Sequence, residues 1–360
     1  MTSPQHVAEV RIGDRVVGPG HRVYVIAELS ANHHQDYDKA LALVEAAAAA
    51  GADAVKLQTY TPESMTLDTD APPFRVGPGS IWAGQRLFDL YREGMTPWGW
   101  QAGLKSAAEA LGMHCFSTPF DQEGVDFLVG LGVPAMKIAS FEIVDLDLVH
   151  RIAKTKLPVL MSTGMASLAE IDAAVATVRS AGTHEMVLFR CNSAYPATLT
   201  EMDLLTIPHM AMTWGVPVGL SDHTLGVTAS VAAVALGVSA IEKHLTLSRS
   251  EPGPDSAFSL EPEEFATLVR SIREAEDSMG RVRYGPSASE MSSLAFRRSL
   301  FVVASVAKGH LLTSANVRSI RPGGGLSPQS LPLILGRHAT RDLGAGTPLT
   351  WDMIGEIGRA

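Results

Sequence analysis

The chain has 360 residues, of which 46 % are hydrophobic and 19 % are charged, and its formal net charge is −9. This length favours a barrel of roughly 250 residues followed by a smaller domain. The composition excludes a disordered chain, and the negative charge argues against a broad nucleic-acid-binding surface. An anionic ligand would therefore need cations placed locally, because the field of the whole chain opposes it.

No segment of the sequence predicts secretion or membrane insertion. The first fifteen residues, MTSPQHVAEVRIGDR, contain no apolar signal core. The longest uncharged apolar stretch, residues 227–241, is broken by Gly237 and is too short to span a bilayer. Cys115 and Cys191 lie in apolar strand-like runs, so we expect buried reduced thiols. We expect a cytoplasmic protein with no nucleic-acid or membrane partner.

Short β-rich runs alternate with alanine-rich helical patterns, which indicates βα units around a parallel sheet. Eight predicted strands, each followed by a helix, occupy residues 23–29, 53–59, 113–118, 135–140, 158–163, 185–191, 217–223 and 239–245. Eight units predict an α/β fold of the (βα)₈ TIM-barrel type. A doubly wound open sheet is the alternative, although it usually has fewer units.

Two regions depart from this alternation. Residues 60–96 form an insertion after the second strand, and an insertion there is more often a substrate loop than a linker. After about residue 285 the sequence changes to short β segments with turns. We predict a barrel domain over residues 1–283, a serine-rich linker over 284–293 and a small β-rich domain over 294–360.

Every predicted strand ends in polar side chains, at the end where a TIM barrel carries its active site. A barrel with a purely structural role has no need for this pattern, because apolar or small residues would serve. The set comprises Glu28, Lys56, Gln58, Ser117, Thr118, Lys137, Ser140, Ser162, Thr163, Asn192, Ser193, Ser221, Asp222, His223, Glu242, Lys243 and His244.

Lys56 and Lys137 lie inside the apolar runs AVKLQ and AMKIAS. A buried lysine is costly unless it is paired. Each lysine is therefore either satisfied by a neighbouring carboxylate or part of a cation cradle for phosphate and carboxylate groups. The hydroxyl donors of such a cradle would be Thr118, Ser140, Ser162 and Ser221.

His223 and His244 end the seventh and eighth predicted strands. Adjacent strands lie about 4.8 Å apart, so two imidazoles there can share one ion. Imidazole suits Mn²⁺, Zn²⁺ or Fe²⁺. A lone histidine is more often a polar core residue, but two at matching strand ends favour a metal site. Two protein ligands leave positions open for water and substrate, as Lewis-acid catalysis requires.

Three loop segments give weaker signals. Residues 32–34 (NHH) follow the first strand and either line the site or form a solvated loop. Residues 252–260 place Asp255 at the barrel mouth or form only a proline-rich turn. Residues 318–328 (RSIRPGGGLSP) carry Arg321 and three glycines, match no phosphate-binding loop and could be a flexible turn.

Eleven stretches of the sequence, taken in order, carry a family resemblance. They are IAELSANH (26–33), GADAVKLQTYTPESMT (51–66), FSTPFD (116–121), KIASFEIVD (137–145), STGMASLAEI (162–171), SAYP (193–196), GLSDHTLG (219–226), IEKHLTL (241–247), PGPDSAFSLEPEEF (252–265), RRSLFVV (297–303) and RSIRPGGGLSP (318–328). Together they resemble the sialic acid synthase family, with the last two similar to its C-terminal antifreeze-like (SAF) domain. LSANH and Phe141 favour the branch that makes pseudaminic acid. Asn192 departs from the family, which usually has threonine there.

The resemblance implies a transferase that condenses phosphoenolpyruvate with an open-chain N-acylated amino sugar and releases phosphate. In the pseudaminic branch the aldehyde is 2,4-diacetamido-2,4,6-trideoxy-altrose. The alternative is synthesis of N-acetylneuraminate or legionaminic acid from another N-acylated amino sugar.

By position, the resemblance also implies the roles of individual residues. The phosphoenolpyruvate contacts would be Lys56, Thr118, Lys137, Ser140, Ser162, Ser193 and Ser221. The residues near the reacting groups and the sugar would be Glu28, Gln58, Tyr195, Glu242 and Asp255. Glu28 or Glu242 would move a proton. His223 and His244 would hold the divalent metal, usually Mn²⁺, with Mg²⁺ or Co²⁺ as alternatives. Arg321 would reach the sugar from the partner subunit, which implies a domain-swapped homodimer.

Two rival interpretations stay open. One is an aldol-type lyase that forms a Schiff base on Lys137. The other is a carbohydrate- or ice-binding module, suggested by the C-terminal domain alone. The polar residues at the ends of all eight predicted strands argue against a binding module. The small domain also lacks the regular threonine array that an ice-binding face would need.

Overall fold

A computed structural model describes residues 7–357 of the chain. The chain divides into two compact units, Met1–Gly280 and Arg281–Ala360. The sequence places this boundary at residue 283, and the linker over 284–293 stays a prediction.

The first unit is a closed parallel barrel preceded by a short antiparallel hairpin. The hairpin strands are Val10–Ile12 (β1) and Arg15–Val17 (β2). The barrel strands are Tyr24–Glu28 (β3), Ala54–Thr59 (β4), His114–Pro119 (β5), Met136–Ile138 (β6), Val159–Ser162 (β7), Met186–Cys191 (β8), Val218–Asp222 (β9) and Ala240–His244 (β10). Each strand pairs with the next, and β10 closes the barrel on β3. The predicted TIM barrel is confirmed, and the open doubly wound sheet is wrong.

Helices follow the strands and cover the barrel. They are Tyr37–Ala49 (α1), Pro62–Met65 (α2), Leu87–Gly94 (α3), Trp98–Ala110 (α4), Gln122–Leu131 (α5), Leu146–Lys154 (α6), Leu168–Ser180 (α7), Thr206–Trp214 (α8), Thr228–Ala235 (α9) and Pro262–Met279 (α10). Five of them begin at a side chain that accepts a backbone N–H of the first turn, as N-caps do. These caps are Asp36, Thr61, Asp121, Asp145 and Ser167. The caps fix where each helix starts after its strand, and so set the short loops at the barrel mouth.

The β1–β2 hairpin covers the N-terminal ends of the barrel strands. Arg15 contacts the carboxylate of Asp53, at the start of β4, and donates to the Gly112 carbonyl at 3.3 Å. The same carboxylate accepts from Arg273 Nη2 of α10 at 3.0 Å. The sequence analysis missed this hairpin, because two strands of three residues leave almost no periodic pattern. The barrel is therefore closed at this end, and its cavity opens at the other.

The insertion at residues 60–96 is folded rather than loose. It contains α2 and α3, and an antiparallel bridge joins Arg75 to Arg86. Arg86 donates to Asp89 at 2.7 Å and to Asp68 at 2.9 Å. These ion pairs hold the segment between the two helices in one conformation.

The second unit has its own small core. Its elements are Ser299–Val302 (β11), Val317–Ile320 (β12), Leu331–Ile334 (α11), Arg337–Ala339 (β13) and Ile354–Ile357 (β14). The strands form two antiparallel pairs, β11 with β12 and β13 with β14, around buried residues that include Leu300, Leu312 and Leu349. Within residues 7–357, no helix has the length and apolar character needed to cross a membrane.

Candidate active site

Inward-facing side chains at the C-terminal ends of the strands line one cavity of about 830 Å³. Side chains alternate along a strand, so residues two apart point to the same side. The predicted site residues that line the cavity are Glu28, Lys56, Gln58, Thr118, Lys137, Ser140, Ser162, Ser193, Tyr195, Ser221, His223, Glu242, His244 and Asp255. Arg321 is exposed in the second unit, just after β12. The fold thus gathers every barrel residue to which the family resemblance gave a substrate or metal role, whereas the strand-end residues Ser117, Thr163, Asn192, Asp222 and Lys243 do not line the cavity.

Four buried charged groups form an ion cluster on the cavity wall: Glu28, Lys56, Lys137 and Glu242. Lys56 Nζ lies 3.1 Å from Glu28 Oε2 and 2.9 Å from Glu242 Oε1. Lys137 Nζ lies 3.6 Å from Glu242 Oε2 and 2.5 Å from the hydroxyl of Ser162. Each lysine therefore has a carboxylate neighbour, as the structural interpretation of a buried lysine requires. Both lysines also line the cavity, as the cation cradle requires.

Burial and neighbouring charges shift these groups in different directions. Burial raises the pKa of Glu28 to about 7, although Lys56 acts against this shift. Burial alone would raise the pKa of Glu242, but Lys137 and Lys56 outweigh it and hold that pKa well below its usual range. Burial lowers the pKa of Lys137 to about 8. Glu242 is therefore the ionised carboxylate of the pair, and Glu28 is the one placed to exchange a proton near neutral pH.

Small residues around β6, β7 and β8 leave room for an anion beside the lysines. The backbone N–H of Gly164 donates to Ser140 Oγ at 3.1 Å. A Cβ at residue 164 would overlap the hydroxyl of Ser193 and lie 2.8 Å from that of Ser140. The hydroxyl of Thr118 is buried and has no hydrogen-bond partner in the part of the chain that the structure describes. This arrangement of free donors suits a phosphate or carboxylate group.

The rings of His223 and His244 pack edge to face, with their centroids 5.3 Å apart and an interplanar angle of 65°. His223 Nδ1 is 2.8 Å from the carbonyl oxygen of Asn192, so Nδ1 carries the proton and Nε2 has a free lone pair. His244 Nδ1 is buried and lacks a partner among the described residues, and Asp255 Oδ2 lies 4.0 Å from it. These features fit a shared divalent ion. Residues 7–357 hold no group of three or more His, Cys, Asp or Glu side chains placed for a metal, so the fit rests on the two imidazoles.

The insertion builds the outer wall of the cavity. Trp82 packs on Tyr195 with ring centroids 5.5 Å apart, and Tyr195 packs on His223 at 4.4 Å. Trp82 Nε1 donates to the carbonyl of Pro254 at 2.7 Å, which ties the insertion to the loop that carries Asp255. The remaining wall is mostly apolar, and its residues include Met65, Val76, Ile81, Leu87, Leu90 and Phe141. The cavity therefore has a charged end at the ion cluster and an apolar end at the insertion.

Glu142 and Cys191 are ionisable cavity residues that were not selected as site residues from the sequence. Glu142 has a buried Oε2 without a partner in the described structure, and burial raises its pKa to about 7. Its position two residues after Ser140 was the available signal. Cys191 Sγ lies 3.9 Å from His223 Nδ1, and both cysteines are free and buried as predicted.

Two groups of strand-end residues lie elsewhere. Asn32 and His33 are buried, and Asn32 Nδ2 donates to Leu245 O and Ser259 Oγ, both at 2.9 Å. They neither line the cavity nor form a solvated loop, so both interpretations of residues 32–34 are wrong for these two. Asp222 and Lys243 point away from the cavity toward the helices.

Comparison with known proteins agrees with this geometry. Residues 43–284 match the NeuB family model and residues 297–355 match the SAF domain, so the chain belongs to the NeuB family. It is 40 % identical to a pseudaminic acid synthase of Helicobacter pylori, over 92 % of this chain and 97 % of the relative. It is 36 % identical to an N,N'-diacetyllegionaminic acid synthase of Legionella pneumophila, over 92 % and 94 % of the two chains.

A solved structure agrees as well. An N-acetylneuraminic acid synthetase of Leptospira borgpetersenii, crystallised with citrate, matches with a TM-score of 0.72 and 30 % identity. The match covers 80 % of this chain and 96 % of that one.

Proposed function

We propose that this chain is a pseudaminic acid synthase, a transferase that joins phosphoenolpyruvate to 2,4-diacetamido-2,4,6-trideoxy-altrose and releases phosphate. The observation that carries the proposal is the single cavity in which Lys56 and Lys137 face the paired rings of His223 and His244. Among the relatives above, the one with the higher identity is a pseudaminic acid synthase. For the alternative products, the legionaminic acid synthase above is 36 % identical and the N-acetylneuraminic acid synthetase is 30 % identical.

Different cavity residues bind the two substrates. Lys56 and Lys137 neutralise the phosphate and carboxylate of phosphoenolpyruvate. The hydroxyls of Thr118, Ser140, Ser162, Ser193 and Ser221 orient these groups. Glu28, with its pKa near 7, exchanges a proton with the water that adds at C2, while Glu242 stays ionised beside the lysines. Gln58, Tyr195 and Asp255 contact the sugar.

A divalent ion, with Mn²⁺ as the first candidate and Mg²⁺ or Co²⁺ as alternatives, would be held by His223 and His244. When bound, it supplies Lewis-acid polarisation of the sugar aldehyde. The Asn192 carbonyl orients the ring of His223 for this task, because second partners of this kind fix the tautomer of a ligating imidazole.

The direct test is phosphate release from phosphoenolpyruvate with a panel of aldehydes, with the product mass measured in parallel. We expect turnover with 2,4-diacetamido-2,4,6-trideoxy-altrose and much less with N-acetylmannosamine or the legionaminic precursor. Turnover highest with either of those two would overturn the assignment.

Chelation should abolish activity and Mn²⁺ should restore it, whereas full activity in the metal-free enzyme would exclude the Lewis-acid role. His223→Ala should lose metal and turnover while keeping the fold.

We also propose a domain-swapped homodimer in which Arg321 reaches the sugar in the partner's barrel. Large apolar side chains stay exposed after β6 and β7, among them Phe141 at 58 %, Met165 at 64 % and Leu168 at 61 %. Exposed apolar side chains near a ligand cavity are typical of a surface that another chain covers.

Subunit mixing tests the swap. His223→Ala and Arg321→Ala variants should each be nearly inactive, and a mixed dimer has one intact site only if Arg321 acts on the partner's barrel. Random mixing at equal amounts should restore about a quarter of the wild-type activity, since a symmetric dimer has two equivalent sites. No recovery, with subunit exchange verified by mass spectrometry, would mean that Arg321 serves its own barrel or no site.

A further inference from the structure

One buried ion pair lies directly behind the two histidines and has no part in the function proposed above. Asp222 ends β9 and Lys243 is the penultimate residue of β10, and the two are register partners in the parallel pairing of these strands. Lys243 Nζ lies 2.9 Å from Asp222 Oδ2, and both side chains are 0 % exposed. Neither lines the cavity, whereas their neighbours Ser221, His223, Glu242 and His244 do.

The carboxylate of Asp222 is fully satisfied. Its Oδ1 accepts from the backbone N–H of Thr224 at 2.8 Å and from the Thr224 hydroxyl at 2.7 Å. Its Oδ2 accepts from Ser230 Oγ of α9 at 2.6 Å, in addition to Lys243. Four donors thus hold one carboxylate between the barrel wall and a helix.

Lys243 also contacts the residue that follows His223. Its Nζ donates to the carbonyl of Thr224 at 2.5 Å. His223 is therefore flanked by two residues that Lys243 contacts directly, while His244 follows Lys243 in the chain. His223 itself lies one residue beyond the end of β9, where the pairing of β9 with β10 has stopped.

Stability alone is a poor reason for such a pair. Replacing a buried ion pair by apolar side chains of similar volume is often neutral or stabilising, because two charges must be taken out of water. In some proteins, buried polar or ionic groups instead fix one arrangement of the structure. The arrangement that this pair fixes is the spacing of two imidazoles on neighbouring strands.

We infer that Asp222 and Lys243 are positioning residues, whose ion pair sets the distance and orientation of His223 and His244 for a shared divalent ion. The inference rests on the proposed metal site. The inference adds that the Asp222–Lys243 contact between β9 and β10 holds the two histidines in place, so that two protein ligands are enough to bind the ion. The outer partners of metal ligands typically change metal affinity 10- to 100-fold when they are removed.

The test is calorimetric titration of metal-free protein with Mn²⁺ alone, together with thermal unfolding. Asp222→Asn and Lys243→Met should each raise the Mn²⁺ Kd about 10- to 100-fold and lower the melting temperature, since each leaves one buried charge unpaired. The double variant D222N/K243M has no unpaired charge. It should recover most of the melting temperature but keep the weak Mn²⁺ binding. Recovery of Mn²⁺ affinity together with stability would overturn the inference.

Arg273→Met is the control, because it removes a partly buried ion pair with Asp53 at the closed end of the barrel, 3.0 Å between Nη2 and Oδ2. It should lower the melting temperature while leaving the Mn²⁺ Kd within about twofold, since distant sites act independently. An equal rise of the Mn²⁺ Kd in this control would also overturn the inference. If the wild-type protein itself fails to bind Mn²⁺, Mg²⁺ or Co²⁺, the proposed metal site fails instead, so the two failures are distinguishable.

Discussion

Lys56 Nζ lies 2.9 Å from Glu242 Oε1, so the cation that should receive a substrate anion is already paired with a carboxylate of the protein. Glu28 approaches the same nitrogen at 3.1 Å. The four groups of the ion cluster are therefore balanced before any substrate enters. Binding of phosphoenolpyruvate must redistribute this balance, and proton uptake by Glu28 is the available route because its pKa is near 7.

Glu242→Gln should unbalance the ion cluster. Loss of this carboxylate leaves Lys137 without its charged partner, and breaking a buried pair typically costs about 3–5 kcal/mol of unfolding free energy. Phosphoenolpyruvate should then stabilise the variant against heat more than it stabilises the wild type. Glu109→Gln, in the exposed pair with Lys105, is the control and should change stability by less than about 1 kcal/mol. Equal ligand-induced melting shifts in Glu242→Gln and wild type would contradict the expectation.

Lys137 should set the alkaline limit of phosphoenolpyruvate binding. Burial lowers its pKa to about 8, and a lysine binds an anion as a cation only below its pKa. As pH rises through 8, Lys137 loses its proton, so kcat/KM for phosphoenolpyruvate should fall toward tenfold per pH unit. Lys137→Met should show a low rate without this alkaline fall. A kcat/KM that stays constant from pH 7 to 9.5 in the wild type would argue against the role.

The Schiff-base interpretation predicts that Lys137 forms a covalent bond to a substrate, whereas an anion-binding Lys137 stays unmodified. A lysine whose pKa is lowered by burial is also suited to form an imine. We expect borohydride reduction in the presence of either substrate to leave Lys137 unmodified, because Ser162 Oγ and Glu242 already contact its amine. Peptide mass mapping checks this result. A reduced adduct on Lys137 would support the lyase instead.

Gly164→Ala should obstruct the anion end of the cavity. A Cβ there overlaps the hydroxyl of Ser193 and crowds that of Ser140, so both donors must move. We expect the phosphoenolpyruvate KM to rise about tenfold or more, which corresponds to about 1.4 kcal/mol, with a smaller change in the sugar KM. Gly130→Ala is a fair control, because a Cβ at that helical glycine meets nothing within 4 Å. Equal changes in both KM values would contradict the assignment of this end to phosphoenolpyruvate.

Trp82→Ala should affect the other end. It removes a ring of the apolar wall and the hydrogen bond to Pro254, so the loop with Asp255 loses its tie to the insertion. We expect the sugar KM to rise about tenfold while the phosphoenolpyruvate KM stays within about twofold. Trp82→Phe keeps an aromatic ring but loses the hydrogen-bond donor, so its sugar KM should lie between the values of the wild type and Trp82→Ala. A larger effect on phosphoenolpyruvate than on the sugar would show that the two ends are assigned the wrong way round.

The sequence predicted the barrel and most of its cavity for one physical reason. Parallel strands end on the same side, so polar side chains at strand ends must meet, and residues as distant as Glu28 and His244 could be placed together without coordinates. Successive side chains of a strand point to opposite sides of the sheet, and this alternation decides which strand-end residues face the cavity. It would have separated Ser221 and His223, which face the cavity, from Asp222, which faces a helix.

Other features left too little pattern to read. The β1–β2 hairpin is too short for periodicity, and the path of residues 66–86 depends on ion pairs such as that of Arg86 with Asp68, whose partners lie 18 positions apart. Glu142 lies two residues after Ser140, where the predicted strand ends, and only the fold shows that its carboxyl group is buried against the cavity. Loops are positioned by such individual contacts rather than by repeats, so their prediction needs the structure.

The β1–β2 hairpin has a practical consequence. It covers the barrel end opposite the cavity, and its residue Arg11 is exposed. A fluorophore attached there after Arg11→Cys would label the enzyme at the barrel end farthest from the cavity. Surface attachment through the same position would leave the cavity mouth facing the solution.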